Sequence, residues 1–139
     1  MFTAEEITNY YQKPLICEFK YDGIRLQMHK SGQQIRLFSR KLSEITNTFP
    51  ELTNAAVNVK LLSSTLLSDI DFILDGEVIA FQNGKPLHFQ ELQKRLHKKN
   101  LTEQIMTETQ LLYVVFDIMY FNGESLIKKS IRERKETYL

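Results

Sequence analysis

The sequence predicts an α+β fold, built mainly from antiparallel strands with flanking helices. Three observations carry that expectation. Ile24, Leu26 and Met28 alternate with Arg25, Gln27 and His29, a period of two that marks a strand with one buried face. A turn at Ser31-Gly32-Gln33-Gln34 leads back into another strand-like run, Ile35 to Phe38. Between such runs stand helix-start signals: Thr3-Ala4-Glu5-Glu6, Pro50 with Thr48 before it, and Ser130-Ile131-Arg132-Glu133.

In order along the chain, the first capping box opens a helix that ends before Pro14. Leu15 to Lys20 reads as a strand, which puts Glu18 and Lys20 on one face and turns Cys17 toward the core. Pro50 starts a helix over residues 50–63, with Thr48 as its cap. Phe72 to Phe81 is a strand interrupted by Asp75-Gly76-Glu77, followed by a turn at Asn83-Gly84. Phe89, Leu92 and Leu96 keep helical spacing, so Phe89 to Lys98 is a helix. Leu111 to Phe121 is a long strand closed by Asn122-Gly123, and a last helix opens at Ser130. No repeat, low-complexity stretch or linker divides the chain.

A length of 139 residues suits one domain, and 42% hydrophobic with 25% charged residues places it among globular rather than disordered chains. A net charge of +1 excludes a protein whose partner is chosen by bulk charge. The longest apolar run, Leu111 to Phe116, falls short of the roughly 20 residues of a membrane helix. Glu5 and Glu6 stand where a secretion leader would be basic and then apolar, and the lone Cys17 can form no internal disulfide. An intracellular setting without membrane contact is therefore expected. Charge is also blocked along the chain: residues 20–60 are net +4, 61–93 net −4, 94–104 net +3 and 125–139 net +3. Such blocks can bring opposite signs together around phosphates or metal ions, or form ordinary solvated faces.

The informative stretch is Lys20-Tyr21-Asp22-Gly23-Ile24-Arg25: a lysine, a tight Asp-Gly turn, and an arginine opening the next strand. With the segments that follow, it resembles the adenylation domain of ATP-dependent DNA ligases, within the covalent nucleotidyltransferases that include RNA ligases and mRNA capping enzymes. The similarity is greatest to the archaeal and eukaryotic replicative type. Lys20 to Arg25 matches the nucleophile motif, and Phe38-Ser39-Arg40 with Thr46 to Leu52 matches the next. Leu74-Asp75-Gly76-Glu77 matches the third. Phe89 to Lys99 matches a stretch typical of the ligases. Val115-Phe116-Asp117-Ile118 with Asn122-Gly123 matches the adenine-stacking motif, and Glu133-Arg134 the pair that follows it.

The resemblance implies a nucleotidyltransferase fold and a first step in which Lys20 attacks the α-phosphate of ATP, releases pyrophosphate and keeps AMP. A lysine amine attacks only when neutral, so such a nucleophile needs nearby positive charge or desolvation; Arg25 and Mg²⁺ would supply the charge. A carboxylate only accepts hydrogen bonds, and adenine offers an amine where guanine offers a carbonyl, so Glu18 favours ATP over GTP. Glu77 is expected on the ribose, and Glu77 with Asp75 at a metal, although Asp75 also suits a solvated pair. Phe116 is expected to stack on adenine, with Asp117 structural or metal-linked. Arg25 and Arg40 are expected on ribose or phosphate.

Arg40, Arg95 and Lys98 are candidate DNA contacts, the latter two in a basic helix end that the helix dipole favours whatever the function. His29 and His88 show no metal-ligand spacing. The implied substrate is nicked double-stranded DNA in replication, repair and recombination, and the implied partner a sliding clamp through regions outside this chain. Family motifs with Glu-Gly and with paired lysines do not follow Leu139. The expectation is thus a partial adenylation domain over residues 1–139, without its OB-fold and N-terminal DNA-binding domains, that does not seal nicks and self-adenylates weakly or not at all. Two other readings remain: a sister RNA ligase or capping guanylyltransferase, and a non-catalytic remnant that binds nucleic acid or a partner protein.

Overall fold

A computed structural model describes residues 3–12, 15–58, 70–96 and 110–137. The elements are α1 (Ala4–Tyr11), β1 (Ile24–Ser31), β2 (Gln34–Ser39), a 3-10 turn (Thr46–Thr48), α2 (Pro50–Asn58), β3 (Phe72–Gln82), β4 (Lys85–Pro86), α3 (Phe89–Leu96), β5 (Gln110–Phe121), β6 (Glu124–Ser125) and α4 (Ile131–Glu136). All described pairings are antiparallel, in the order β2-β1-β3-β5-β6, with β4 paired to β3. This is the expected mix of antiparallel sheet and flanking helices.

The period of two divides the sheet into two faces. Leu26 and Met28 of β1, Leu37 of β2 and Phe72, Val78 and Ala80 of β3 are buried on one face. Phe49 and Leu52 before and in α2, and Leu92 of α3, complete that core. A helix with one apolar stripe and a sheet with one apolar face bury each other, and the hydrophobic effect holds the layers together. The opposite face is left to polar groups: Arg25, Gln27 and His29 on β1, and Asp75 and Glu77 on β3, which β1 faces in register.

Local chemistry explains the element ends. Thr3 Oγ1 accepts from Glu6 N at 3.2 Å while the Glu6 carboxylate accepts from Thr3 N at 2.7 Å, a reciprocal capping box at α1. Ser130 and Glu133 repeat the device at α4. Thr46 Oγ1 accepts from Leu37 N at 3.1 Å, tying the 3-10 turn to β2. Near the end of β1, Lys30 continues the buried face of Leu26 and Met28, and its Nζ donates to Gly32 O and, at 2.9 Å, to Ile70 O, so a lysine that the alternation turns inward clamps the sheet end.

Three sequence expectations are corrected. Leu15 to Lys20 forms no strand; residues 15–20 are exposed, and Cys17 is exposed rather than in the core. A strand exists only where a neighbour takes its backbone hydrogen bonds, and no apolar pattern within six residues supplies that neighbour. β3 runs unbroken through Asp75-Gly76-Glu77, because the irregularity belongs to its partner β5. The helix assigned to 50–63 is described as far as Asn58, and the rest of that assignment lies outside the described residues.

Gly76 shows why a glycine stands in mid-strand. A Cβ there would lie 2.6 Å from the Tyr113 ring and 2.6 Å from Val114 O. Tyr113 passes beneath it, and its hydroxyl donates to Leu26 O at 3.1 Å with Leu74 O at 3.3 Å as the alternative acceptor. One phenol thus bridges β1, β3 and β5. Gly76→Ala is expected to destabilise the fold by about 1–3 kcal/mol, as overpacking does. Urea unfolding of the two proteins checks this, and an unchanged midpoint would refute it.

Candidate functional site

The polar face of the sheet carries the site. Arg25 opens β1 directly opposite Glu77 on β3. Its guanidinium forms a two-pronged ion pair with Asp75, Nε to Oδ1 at 3.1 Å and Nη2 to Oδ2 at 2.8 Å. The Asp75 side chain is 6% exposed and that of Arg25 50% exposed, so the pair joins the sheet interior to its open face. Bonding to Asp75 raises the Arg25 pKa above its ordinary value, which keeps the guanidinium charged. The buried Asp75 is therefore not half of a solvated pair; both its oxygens serve Arg25.

Gly23 stands just ahead of β1 because nothing larger fits. A Cβ there would meet Val78 O at 2.1 Å. Its φ is not positive, so close approach to β3, rather than turn geometry, requires the glycine. The same approach lets Gly23 N donate to Glu77 Oε1 at 3.2 Å. The nucleophile-like motif is thus fastened to the third motif at two points, Gly23 on Glu77 and Arg25 on Asp75. Lys20 lies exposed three residues before Gly23, and its charge acts on Glu77.

β5 brings in the aromatic group by an irregular route. Asp75 faces Asp117 but Gly76 faces Val115, so Phe116 is an extra residue with no partner on β3. Strict alternation would send Phe116 and Asp117 to opposite faces. The bulge puts both on the polar face: Asp117 is opposite Asp75, and the Phe116 ring centroid lies 5.5 Å from Arg25 Cζ, a cation–π contact. Arg40, just past β2, joins Arg25, Gln27, Ser39 and Asp75 around a cavity of about 210 Å³.

At the far side of this face α4 supplies two cations. Arg134 forms a bidentate pair with Asp117 at 2.7 and 2.9 Å, and its Nη1 donates to Lys129 O at 2.6 Å. Asp117 also accepts from Ile118 N at 2.8 Å, so its role here is structural. Lys135 Nζ donates to Glu18 Oε1. Sequence reasoning named Glu133-Arg134 without a role and missed Lys135. No local signal could have found it, since 117 residues separate it from Glu18. Of the other candidates, Arg95 is placed by its backbone alone, on α3, and Lys98 lies outside the described residues.

A metal fits less well. Asp75 is engaged by Arg25, and no group of three or more His, Cys, Asp or Glu side chains is arranged for a metal ion among the described residues. Asp117 on the same face is engaged by Arg134, so with Asp75 also taken the described residues of this face do not present the cluster of oxygen ligands a resident metal needs. No helix of the described residues is long and apolar enough to cross a membrane.

The family model described as ATP dependent DNA ligase domain matches residues 2–138. The chain belongs to the ATP-dependent DNA ligase domain family. Among relatives of this DNA ligase domain, a DNA ligase of Methanoculleus marisnigri is 40% identical over 119 residues, covering 86% of this chain and 20% of that protein. A DNA ligase of Methanosphaerula palustris is 44% identical over 119 residues, covering 85% and 20%. A probable DNA ligase of Koribacter versatilis is 42% identical over 119 residues, covering 86% and 19%. The chain thus spans about a fifth of the length of these relatives. A mycobacterial DNA ligase D solved in complex with ATP and MES superposes with a TM-score of 0.66 at 25% identity, over 86% of this chain and 34% of that one.

The environment of Glu77 gives this ligase domain a pH signature. Burial raises the Glu77 pKa above the ordinary carboxylate value, more than the Gly23 N–H, Lys20 and Arg25 lower it. The folded state then holds the proton more tightly than the unfolded one, so the contribution to stability is full at acid pH and fades as pH rises through the raised pKa. Glu77→Gln removes that loss. The melting temperature of the variant relative to wild type is expected to rise between pH 4 and pH 7. A difference independent of pH would show that Glu77 titrates normally.

Proposed function

We propose that this chain is the nucleotide-binding part of an ATP-dependent DNA ligase, in which Lys20 becomes adenylated for the sealing of nicked double-stranded DNA. The observation that carries the reading is the double fastening of the Lys20–Arg25 motif to the Asp75-Gly76-Glu77 strand, with the bulged Phe116 beside Arg25. A guanidinium, a carboxylate and an aromatic ring on one sheet face, with the Lys20 amine close enough for its charge to act on Glu77, support this reading, since phosphate, ribose and base call for such groups.

In the proposed step the neutral Lys20 amine attacks the α-phosphorus. A P–N bond forms, the P–O bond to pyrophosphate breaks, and the pyrophosphate leaves with the bonding electrons. The amine proton passes to solvent. Arg25 and Arg40, at the 210 Å³ cavity, neutralise phosphate charge. Phe116 stacks on the adenine, Glu77 accepts from the ribose, and Glu18 accepts from the adenine amine. Magnesium arrives with the nucleotide as Mg–ATP and belongs to the substrate. Arg40 also suits the nicked DNA end, and Arg95 and Lys98 its backbone; a sliding clamp and an intracellular setting belong to the same reading.

Intact-mass spectrometry and nucleotide binding test the reading together. The chain is incubated with Mg–ATP or Mg–GTP, beside Lys20→Ala. ATP is expected to bind in preference to GTP, and any mass gain of one AMP is expected on wild type and not on the variant. No ATP binding, a preference for GTP, or an adduct that survives in Lys20→Ala would overturn it.

A further inference from the structure

Arg134 and Lys135 are consecutive residues on α4, and each grips a carboxylate from another part of the chain: Asp117 on β5 and Glu18 in the segment before β1. Consecutive residues on a helix point about 100° apart, so one short helix reaches both. Its start is fixed by the Ser130–Glu133 capping box. The Lys135 side chain is 19% exposed and that of Glu18 44% exposed, so the ammonium is the enclosed partner and the carboxylate the open one. Asp117 is the sequence neighbour of Phe116, so α4 is tied to the stretch of β5 that carries the aromatic ring.

We infer that Lys135 is a specificity-positioning residue: it pins the Glu18 carboxylate so that the site rejects purines bearing a 6-carbonyl. The inference rests on the reading of Glu18 as the acceptor for the adenine amine. A glutamate in an exposed segment outside any strand or helix has three side-chain torsions free to turn. Faced with a carbonyl oxygen, an unpinned carboxylate swings into water and the wrong base is admitted at little cost. Held by Lys135 through one oxygen, it keeps further lone pairs for the base and cannot retreat without breaking the ion pair. The acceptor–acceptor repulsion is then felt by the wrong nucleotide, which is how a site discriminates by more than its attractive contacts. Arg134 holds Asp117 to the same helix, so the pinned carboxylate and the stacking ring share one frame.

The test is binding of Mg–ATP and Mg–ITP, which differ at the 6-position, to the 139-residue chain. Wild type, Lys135→Met, Lys135→Arg, Glu18→Gln and the double variant Glu18→Gln/Lys135→Met are compared, with thermal melts to confirm folding. Wild type is expected to favour ATP roughly tenfold or more, as loss of a charged hydrogen bond implies. Lys135→Met is expected to remove most of that preference, with ITP bound more tightly than by wild type; a merely structural residue would weaken both nucleotides. Lys135→Arg should retain the preference, and Lys135→Met should add nothing once Glu18 is Gln. If Lys135→Met does not melt cooperatively, Lys135→Gln takes its place in the same comparison. A preference abolished by Glu18→Gln but untouched by the Lys135 variants would overturn this inference alone. A wild-type chain with no preference would overturn the Glu18 reading as well.

Discussion

Tyr113 can pass beneath the middle of the sheet because position 76 has no Cβ, and the polar face above depends on that passage. With the phenol seated between Leu26 O and Leu74 O, β1, β3 and β5 are locked at one level. Asp75 and Glu77, on either side of Gly76, then project from the opposite face at fixed height. Arg25 of β1 and Gly23 just ahead of it are drawn onto them. A larger residue at 76 would push β5 away and loosen both attachments, so a packing constraint on one face sets the electrostatics of the other.

The second constraint is the extra residue at Phe116, one of two register shifts in β5 against β3. A regular strand could offer either Phe116 or Asp117 to the polar face, never both. The bulge offers both, and each is used: the ring faces Arg25, and the carboxylate takes Arg134. The charge blocks of the sequence resolve here into specific pairs. Basic residues of the 20–60 and 125–139 blocks meet carboxylates at Asp75, Asp117 and Glu18. These pairs span from a largely enclosed carboxylate at Asp75 to an open one at Glu18, and the exposed end is the one a ligand can exploit.

Much of this was legible in the chain. The alternation in Ile24 to Lys30, the Asn83-Gly84 and Asn122-Gly123 turns and the two capping boxes each act within a few residues, so local sequence contains their cause. The candidate site was legible as a set of residue types, because the Lys-x-Asp-Gly-x-Arg run, Asp-Gly-Glu and Phe-Asp resemble motifs of one family, and the structure brings Arg25, Asp75, Glu77 and Phe116 to one face. The strand expected at Leu15–Lys20 does not form, since a six-residue run of alternating character carries no record of whether a neighbour exists to pair with it. Cys17 followed the same error to the surface.

By itself the sequence determined the antiparallel strands, the helix starts and the cast of polar residues, because hydrophobic period, capping and turn chemistry act over short separations. Only the tertiary structure decided that Gly23 and Gly76 serve close approach rather than turns, that Phe116 and Asp117 share a face, and that Lys135 meets Glu18 across 117 residues. Those outcomes depend on which strands lie side by side and in what register, and register is settled by the packing of the whole sheet.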